Sequence, residues 1–165
     1  MQSQAHIEAF FDEPTNTVTY LVSDSRTRQA AVIDPVLDYD YRSGEASIAS
    51  ADRVLKRARD YGLNIVWVLE THAHADHLSA ASYIRQRTKA RVAIGEHIRD
   101  VQTFFRPVFN VDDVSGNGSE FDHLLKDGER FEIGHLTVEV LHTPGHTPAC
   151  VSYRISDTVF VGDTL

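Results

Sequence analysis

Leu63-Asn64-Ile65-Val66-Trp67-Val68-Leu69-Glu70-Thr71-His72-Ala73-His74-Ala75-Asp76-His77 is the stretch that decides how this chain folds. Its first half, 63–69, is short and almost continuously apolar, and it follows Tyr61-Gly62. Such a run predicts a strand of a sheet covered on both faces. Its second half sets His72, His74, Asp76 and His77 within six positions. That density of nitrogen and oxygen donors is what a first-row metal needs and what a fold does not. The donors begin where the strand stops, and ligand sites in open α/β sheets lie outside the carboxyl ends of strands. That placement disfavours the bland alternative, a solvated polar turn. In extended backbone His72 and His74 point to the same side. Asp76 and His77 lead into a helix predicted over 78–86, so the donors can converge on one or two ions.

Outward from this stretch the elements alternate. Strands are predicted at 7–11 and 17–22, joined by the turn 12–16, and at 30–33, stopped by Asp34-Pro35. Residues 38–47 read as polar and irregular. A helix is predicted over 47–59, with Ile48, Ala51, Val54, Leu55 and Ala58 at helical spacing and Gly62 where a left-handed cap is wanted. A short strand at 91–94, a helix over 97–105 and an acidic glycine-containing loop at 110–120 follow. Two hairpins close the chain, 130–133 with 136–141 and 151–155 with 158–161. The fold class is α/β (α+β).

Two of these late strand ends carry further donors. His142-Thr143-Pro144-Gly145-His146-Thr147-Pro148 follows strand 136–141, and its prolines and glycine make a stiff turn that fixes an imidazole. Gly162-Asp163 follows strand 158–161. A lone His or Asp at such a place is more often a turn residue. Donors on three strand ends of one α/β chain point to a metal site.

Composition narrows the function. The 165 residues are about one domain, long enough to bury a real core. Hydrophobic content of 42% and charged content of 24% are those of a globular protein. A formal net charge of −8 argues against a nucleic-acid partner. Cys150 is the single cysteine, so no intrachain disulfide forms and a reducing, cytoplasmic compartment is expected. No leader-like start and no apolar run of about 20 residues is present, so no membrane partner is expected.

The loop His72-x-His74-x-Asp76-His77, the turn Thr143-Pro-Gly-His146-Thr and the strand end Gly162-Asp163 resemble the metallo-β-lactamase fold superfamily. Further stretches resemble its iron-dependent persulfide dioxygenase (sulfur dioxygenase) branch. They are 11–20, 31–36, 70–78, 143–153 and 160–165. The resemblance implies an αββα sandwich. Family members continue past the Gly-Asp strand end, so a single domain over 1–165 with an incomplete second half is expected. An exposed apolar face and unpaired strand edges are expected with it.

By the same resemblance His72, His146 and Asp163 hold one Fe(II) per chain. His74, Asp76 and His77 act as outer groups or as ligands of a second metal arrangement. The metal candidates are therefore His72, His74, His146 and Asp163, and the catalytic candidates Asp76 and His77. The implied reaction oxidises a thiol persulfide, such as glutathione persulfide, with O₂ to sulfite and thiol. Iron passes an electron to O₂, which d¹⁰ zinc cannot. The alternative is a binuclear Zn(II) hydrolase of the hydroxyacylglutathione hydrolase type. There His72, His74 and His146 hold one zinc, Asp76 and His77 part of another, and Asp163 bridges. A third reading is an inactive fragment. A homodimer is left open.

Other residues carry weaker readings. Cys150 reads as a small buried residue at a strand start, and His142 as a structural neighbour. Phe104, Phe105 and Phe109 read equally as a channel lining or as core. Asp34 is either an outer group near the metal loop or a plain Asp-Pro turn.

Overall fold

The computed structural model describes residues 4–75, 77–110 and 115–164. Strands β1 (Ala5–Asp12), β2 (Thr17–Asp24) and β3 (Gln29–Ile33) form an antiparallel meander. A small hairpin, β4 (Val36–Asp40) and β5 (Glu45–Ser47), leads into α1 (Ala49–Asp60). Then come β6 (Asn64–Leu69), a two-residue β7 (Leu78–Ser79), α2 (Ala81–Thr88), β8 (Arg91–Gly95), α3 (Ile98–Phe109) and β9 (His123–Leu125). The chain ends with β10 (Arg130–Ile133), β11 (Leu136–His142), β12 (Val151–Ile155), β13 (Thr158–Phe160) and a 3₁₀ turn, Gly162–Thr164.

A six-stranded sheet has the order β1-β2-β3-β6-β8-β9, with β3, β6, β8 and β9 parallel. A four-stranded antiparallel sheet has the order β10-β11-β12-β13. A third sheet, β5-β4-β7, is small. β6 is central to the first sheet and buried on both faces, as its unbroken apolar run predicts.

Burial follows two layers. Val22, Ile33, Trp67 and Leu69 of the first sheet meet Val138, Val140, Tyr153 and Ile155 of the second. On the other face of the first sheet, Val32, Ile65 and Val68 pack under α1 and α2 through Val54, Leu55, Ala58, Ala81 and Ile84. This is the αββα-type sandwich architecture expected. Hydrogen bonds staple the sheets, among them Trp67 Nε1–H donating to the Glu132 carbonyl at 3.2 Å and the Tyr153 hydroxyl to the Glu70 carbonyl at 2.6 Å. α1 ends as anticipated. Gly62 has φ +62°, and the Gly62 and Leu63 N–H groups donate back to the Arg59 and Ala58 carbonyls.

Several elements differ from the reading above. Residues 38–47 are not irregular but form the β4–β5 hairpin, and Leu78-Ser79 joins its edge as β7. The helix expected over 78–86 therefore starts later, at Ala81, where the Ser79 hydroxyl accepts the Ala81 N–H at 3.0 Å. α3 runs on to Phe109 through Pro107. β9 was not anticipated, since only Leu125 of its three residues is buried. Of the acidic loop 110–120, residues 111–114 lie outside the described residues.

The outer face of the second sheet is charged where an apolar face was expected. Thr137 and Arg154 are exposed there, and Glu139 accepts from both Arg130 and Arg154. Phe104, Phe105 and Phe109 are neither core nor channel. They are 68%, 42% and 67% exposed, because the other side of α3 is tied down. Arg99 Nε–H donates to the Asn117 carbonyl, and Gln102 bonds Gly118 and Glu120. Among the described residues no helix is long and apolar enough to cross a membrane.

Candidate metal centre

The expected donors gather at one rim of the sandwich. His72 lies three residues past the end of β6 and is buried. His146 lies on the loop between β11 and β12, and Asp163 in the turn after β13. One ligand atom from each of His72, His146 and Asp163 falls within 4.8 Å of the others. His72 Nε2 is 3.8 Å and His146 Nε2 3.6 Å from Asp163 Oδ2. Donors about 2.1 Å from an ion stand roughly 3.0–3.5 Å apart, so both imidazole–carboxylate separations are within a few tenths of an ångström of what one metal would impose.

Thr71 organises this rim. Its N–H donates to Asp34 Oδ1 at 2.7 Å and its hydroxyl to Asp34 Oδ2 at 2.9 Å. The hydroxyl proton is thereby used, so at the 3.0 Å contact with His72 Nδ1 the Thr71 oxygen accepts and the imidazole donates. His72 then carries its proton on Nδ1 and presents a lone pair at Nε2. Nε2 is buried and makes no hydrogen bond. Burial, with the nearby His74 charge second, lowers its pKa to about 4 and keeps the ring neutral. A buried nitrogen lone pair with no partner, facing a carboxylate and a second imidazole, fits a bound divalent cation.

The backbone is shaped to the same end. Asp34 has φ +49°, in the left-handed region that Asp tolerates better than most residues. Gly162 has φ +53°, and a Cβ there would collide with the Thr71 hydroxyl. The Val151 N–H donates to the Thr71 carbonyl at 2.9 Å, and Thr143 Oγ1 lies 3.1 Å from Thr164 Oγ1. These contacts draw the β11–β12 loop, the Gly162-Asp163 turn and the β6 loop together.

His74 lies beside the three-donor set, its ring 4.0 Å from that of His72. Its Nε2 is 3.1 Å from Asp34 Oδ1 and 3.5 Å from Glu70 Oε2, and these three residues form a second donor cluster. Burial disfavours its charged form, but the hydrogen bonds to Asp34 and Glu70 outweigh burial and raise its pKa to about 10. Burial raises the pKa of Glu70, which is also held by the Ser79 hydroxyl. His77 is buried, its ring 4.1 Å from that of His74 and its Nδ1 3.4 Å from Thr17 Oγ1. Asp76 lies outside the described residues.

Of the weaker readings, Asp34 is an outer group as well as an Asp-Pro turn, and Cys150 is a buried strand-start residue. Glu70 escaped the sequence reading. Its place beside Asp34 follows from the pairing of Ile33 with Leu69 in adjacent parallel strands. Two cavities flank the metal loop. One, of about 760 Å³, lies between the β4–β5 hairpin, the 12–15 turn, His74 and His77. The other, of about 350 Å³, reaches His72 and Glu70 from between α2 and β8.

The sequence profile that matches this chain, over residues 12–165, is that of the Metallo-beta-lactamase superfamily. A "Beta-lactamase hydrolase-like protein" of Xylella fastidiosa (strain 9a5c) is 46% identical over 159 residues, covering 96% of this chain and 37% of the relative. The human "Persulfide dioxygenase ETHE1, mitochondrial" is 26% identical, covering 96% of this chain and 52% of the relative. Among solved structures, ETHE1 from Myxococcus xanthus superimposes with a TM-score of 0.71 at 32% identity, over 93% of this chain and 55% of that one. The chain thus spans well under two thirds of the length of these relatives.

Proposed function

We propose a function from one premise: this chain belongs to the metallo-β-lactamase superfamily. Its donor clusters and fold support a metal-dependent enzyme of that superfamily. We read the centre as a single Fe(II) held by His72, His146 and Asp163, serving oxidation of a thiol persulfide by O₂ to sulfite and the free thiol. The observation that carries this is the composition of the converging set. It holds two imidazoles and one carboxylate, while His74 is engaged by Asp34 and Glu70. Two His and one carboxylate would hold the iron, and ferrous iron would supply the electron that activates O₂.

The chain's own groups have distinct tasks. Thr71 and Asp34 hold His72 in its ligating tautomer. His146 and Asp163 keep the centre open to solvent, with side chains 41% and 52% exposed. His74, positively charged and bound to Asp34, holds the loop after β6 in place beside the centre. Asp76 and His77 remain proposed as outer groups of the same loop. The acceptor thiol we propose is glutathione or a close analogue, and the lone buried Cys150 suits a reducing compartment such as the cytoplasm.

The second reading rests on the hydrolase-like name of the Xylella relative. It is a binuclear zinc hydrolase in which His74 is a ligand. Metal analysis separates the two. Protein made without added zinc is expected to hold close to one iron per chain and to consume O₂ with glutathione persulfide. Asp163→Ala should abolish iron retention, His77→Ala should weaken it less, and His74→Asn should leave it nearly intact. Two zinc ions per chain, lost on replacing His74, would refute the iron reading.

A further inference from the structure

His146 is held less firmly than His72. It sits on the eight-residue loop 143–150, whose base is closed by the Thr143 N–H donating to the Cys150 carbonyl at 3.0 Å. The far half of the loop is secured locally: Thr147 contacts Cys150 Sγ through both its N–H, at 3.2 Å, and its hydroxyl, at 3.1 Å. Among the described residues the backbone of the tip that carries His146 makes one long bond, from the Gly145 N–H to the Thr147 carbonyl at 3.4 Å. The imidazole of His142 adds a hold two residues beyond His146. From the last residue of β11 its Nε2 reaches the Pro148 carbonyl at 3.0 Å. A carbonyl only accepts, so Nε2 carries the proton and donates.

His142 is itself held on two sides. Its N–H donates to Asp127 Oδ1 at 2.8 Å. Its ring lies flat on that of His97, with centroids 4.5 Å apart and planes within 15°. His97 precedes α3 and is fixed by Asp100, 2.8 Å from its Nδ1. A continuous series of contacts therefore runs from the start of α3 through two stacked rings to the turn that aims His146.

We infer that His142 is a positioning residue for the metal centre: its Nε2–H ties Pro148 down and sets where His146 points, with His97 as the surface it rests on. The inference rests on the reading of His146 as a ligand. Outer partners that orient a ligand typically change metal affinity 10- to 100-fold when removed.

The test uses the cobalt(II)-loaded chain, reading affinity by chelator competition and geometry by the visible d–d spectrum. His142→Phe keeps the stack and loses the donor, and is expected to bind about tenfold more weakly, with an altered spectrum. His142→Gln places an amide N–H where Nε2 was, and should stay within about threefold of the parent with its spectrum restored. His97→Ala should fall between. A His142→Phe protein with parental affinity and spectrum overturns the inference. So does a His142→Phe protein that merely melts earlier without spectral change. Should His142→Phe fail to fold, His142→Gln against the shorter His142→Asn makes the same comparison. His146→Ala is the separate control: retention of cobalt there would sink the ligand reading rather than the brace.

Discussion

Asp34→Asn is the substitution that most directly probes the rim, because it changes one atom and reverses a chain of hydrogen bonds. In the parent the order runs from His72 Nδ1–H to Thr71 Oγ1, and from the Thr71 hydroxyl to Asp34 Oδ2. The other carboxylate oxygen is fixed by the Thr71 N–H at 2.7 Å, so an Asn must keep its carbonyl there and turn its NH₂ toward Thr71 Oγ1. The hydroxyl then has to accept, and its own proton swings to His72 Nδ1. The imidazole proton moves to Nε2, where the metal lone pair was. Restoring the ligating form leaves the buried Thr71 hydroxyl proton without a partner, about 1–3 kcal/mol. That corresponds to roughly 10- to 100-fold in metal affinity. Asn tolerates the φ of +49° at this position, so backbone strain does not confuse the result. Chelator competition with cobalt(II) or zinc(II) gives the affinity, and a urea melt confirms folding. A folded Asp34→Asn chain that binds metal within twofold of the parent would refute the tautomer argument.

Two further predictions concern the metal-free chain. His72 is held neutral with a pKa lowered to about 4, so as pH falls from about 6.5 the unfolded chain takes up a proton the fold refuses, and stability drops by on the order of 3 kcal/mol by pH 4. His74 acts in the opposite sense. Its pKa is raised to about 10, so its contribution is full below pH 6.5 and is lost as pH rises toward 10. Urea melts across pH should therefore show a maximum near 6.5, and His74→Asn should flatten the alkaline limb. An unchanged alkaline limb in that variant would count against the Asp34–His74–Glu70 clamp. Tyr153→Phe removes the bond from a fully buried hydroxyl to the Glu70 carbonyl. It should cost about 1–2 kcal/mol in a denaturant titration, and a loss below about 0.3 kcal/mol would show that the staple carries no weight.

Periodicity exposed what local forces control. The apolar run 63–69 became the central strand, and the spacing of Ala51, Val54, Leu55 and Ala58 became the buried stripe of α1. The three expected donors of the iron reading do lie together. What escaped was what depends on partners distant in sequence. The β4–β5 hairpin has exposed residues on both strands and gives little alternation to read. Leu78 continued a helical pattern by type, yet it pairs with Leu37 in a small sheet because the Ser79 side chain is spent on Glu70 and on the start of α2. The phenylalanines of α3 read equally as core or as a channel lining, but polar side chains anchor the helix and the phenylalanines face outward. Glu70 and Asp34 could be paired only by knowing that β3 and β6 are neighbours in register, which no single stretch of sequence encodes.

That dependence on register explains why the centre and the sandwich are one problem. Thr71 touches every part of it. It hydrogen-bonds Asp34 at the end of β3, holds His72 after β6, accepts from Val151 at the start of β12, and lies where only a glycine at 162 fits. Two of those partners belong to the first sheet's strand ends and two to the second's. The ligands thus reach common coordinates only when the two sheets have closed on Tyr153, Trp67 and the apolar layer between them. A metal that prefers the assembled rim must stabilise the closed sandwich by the same free energy with which closure improves its binding. On this account the donors' identities set which ion can bind, whereas the affinity depends both on the groups that orient the donors and on the packing between the sheets, well away from any ligand.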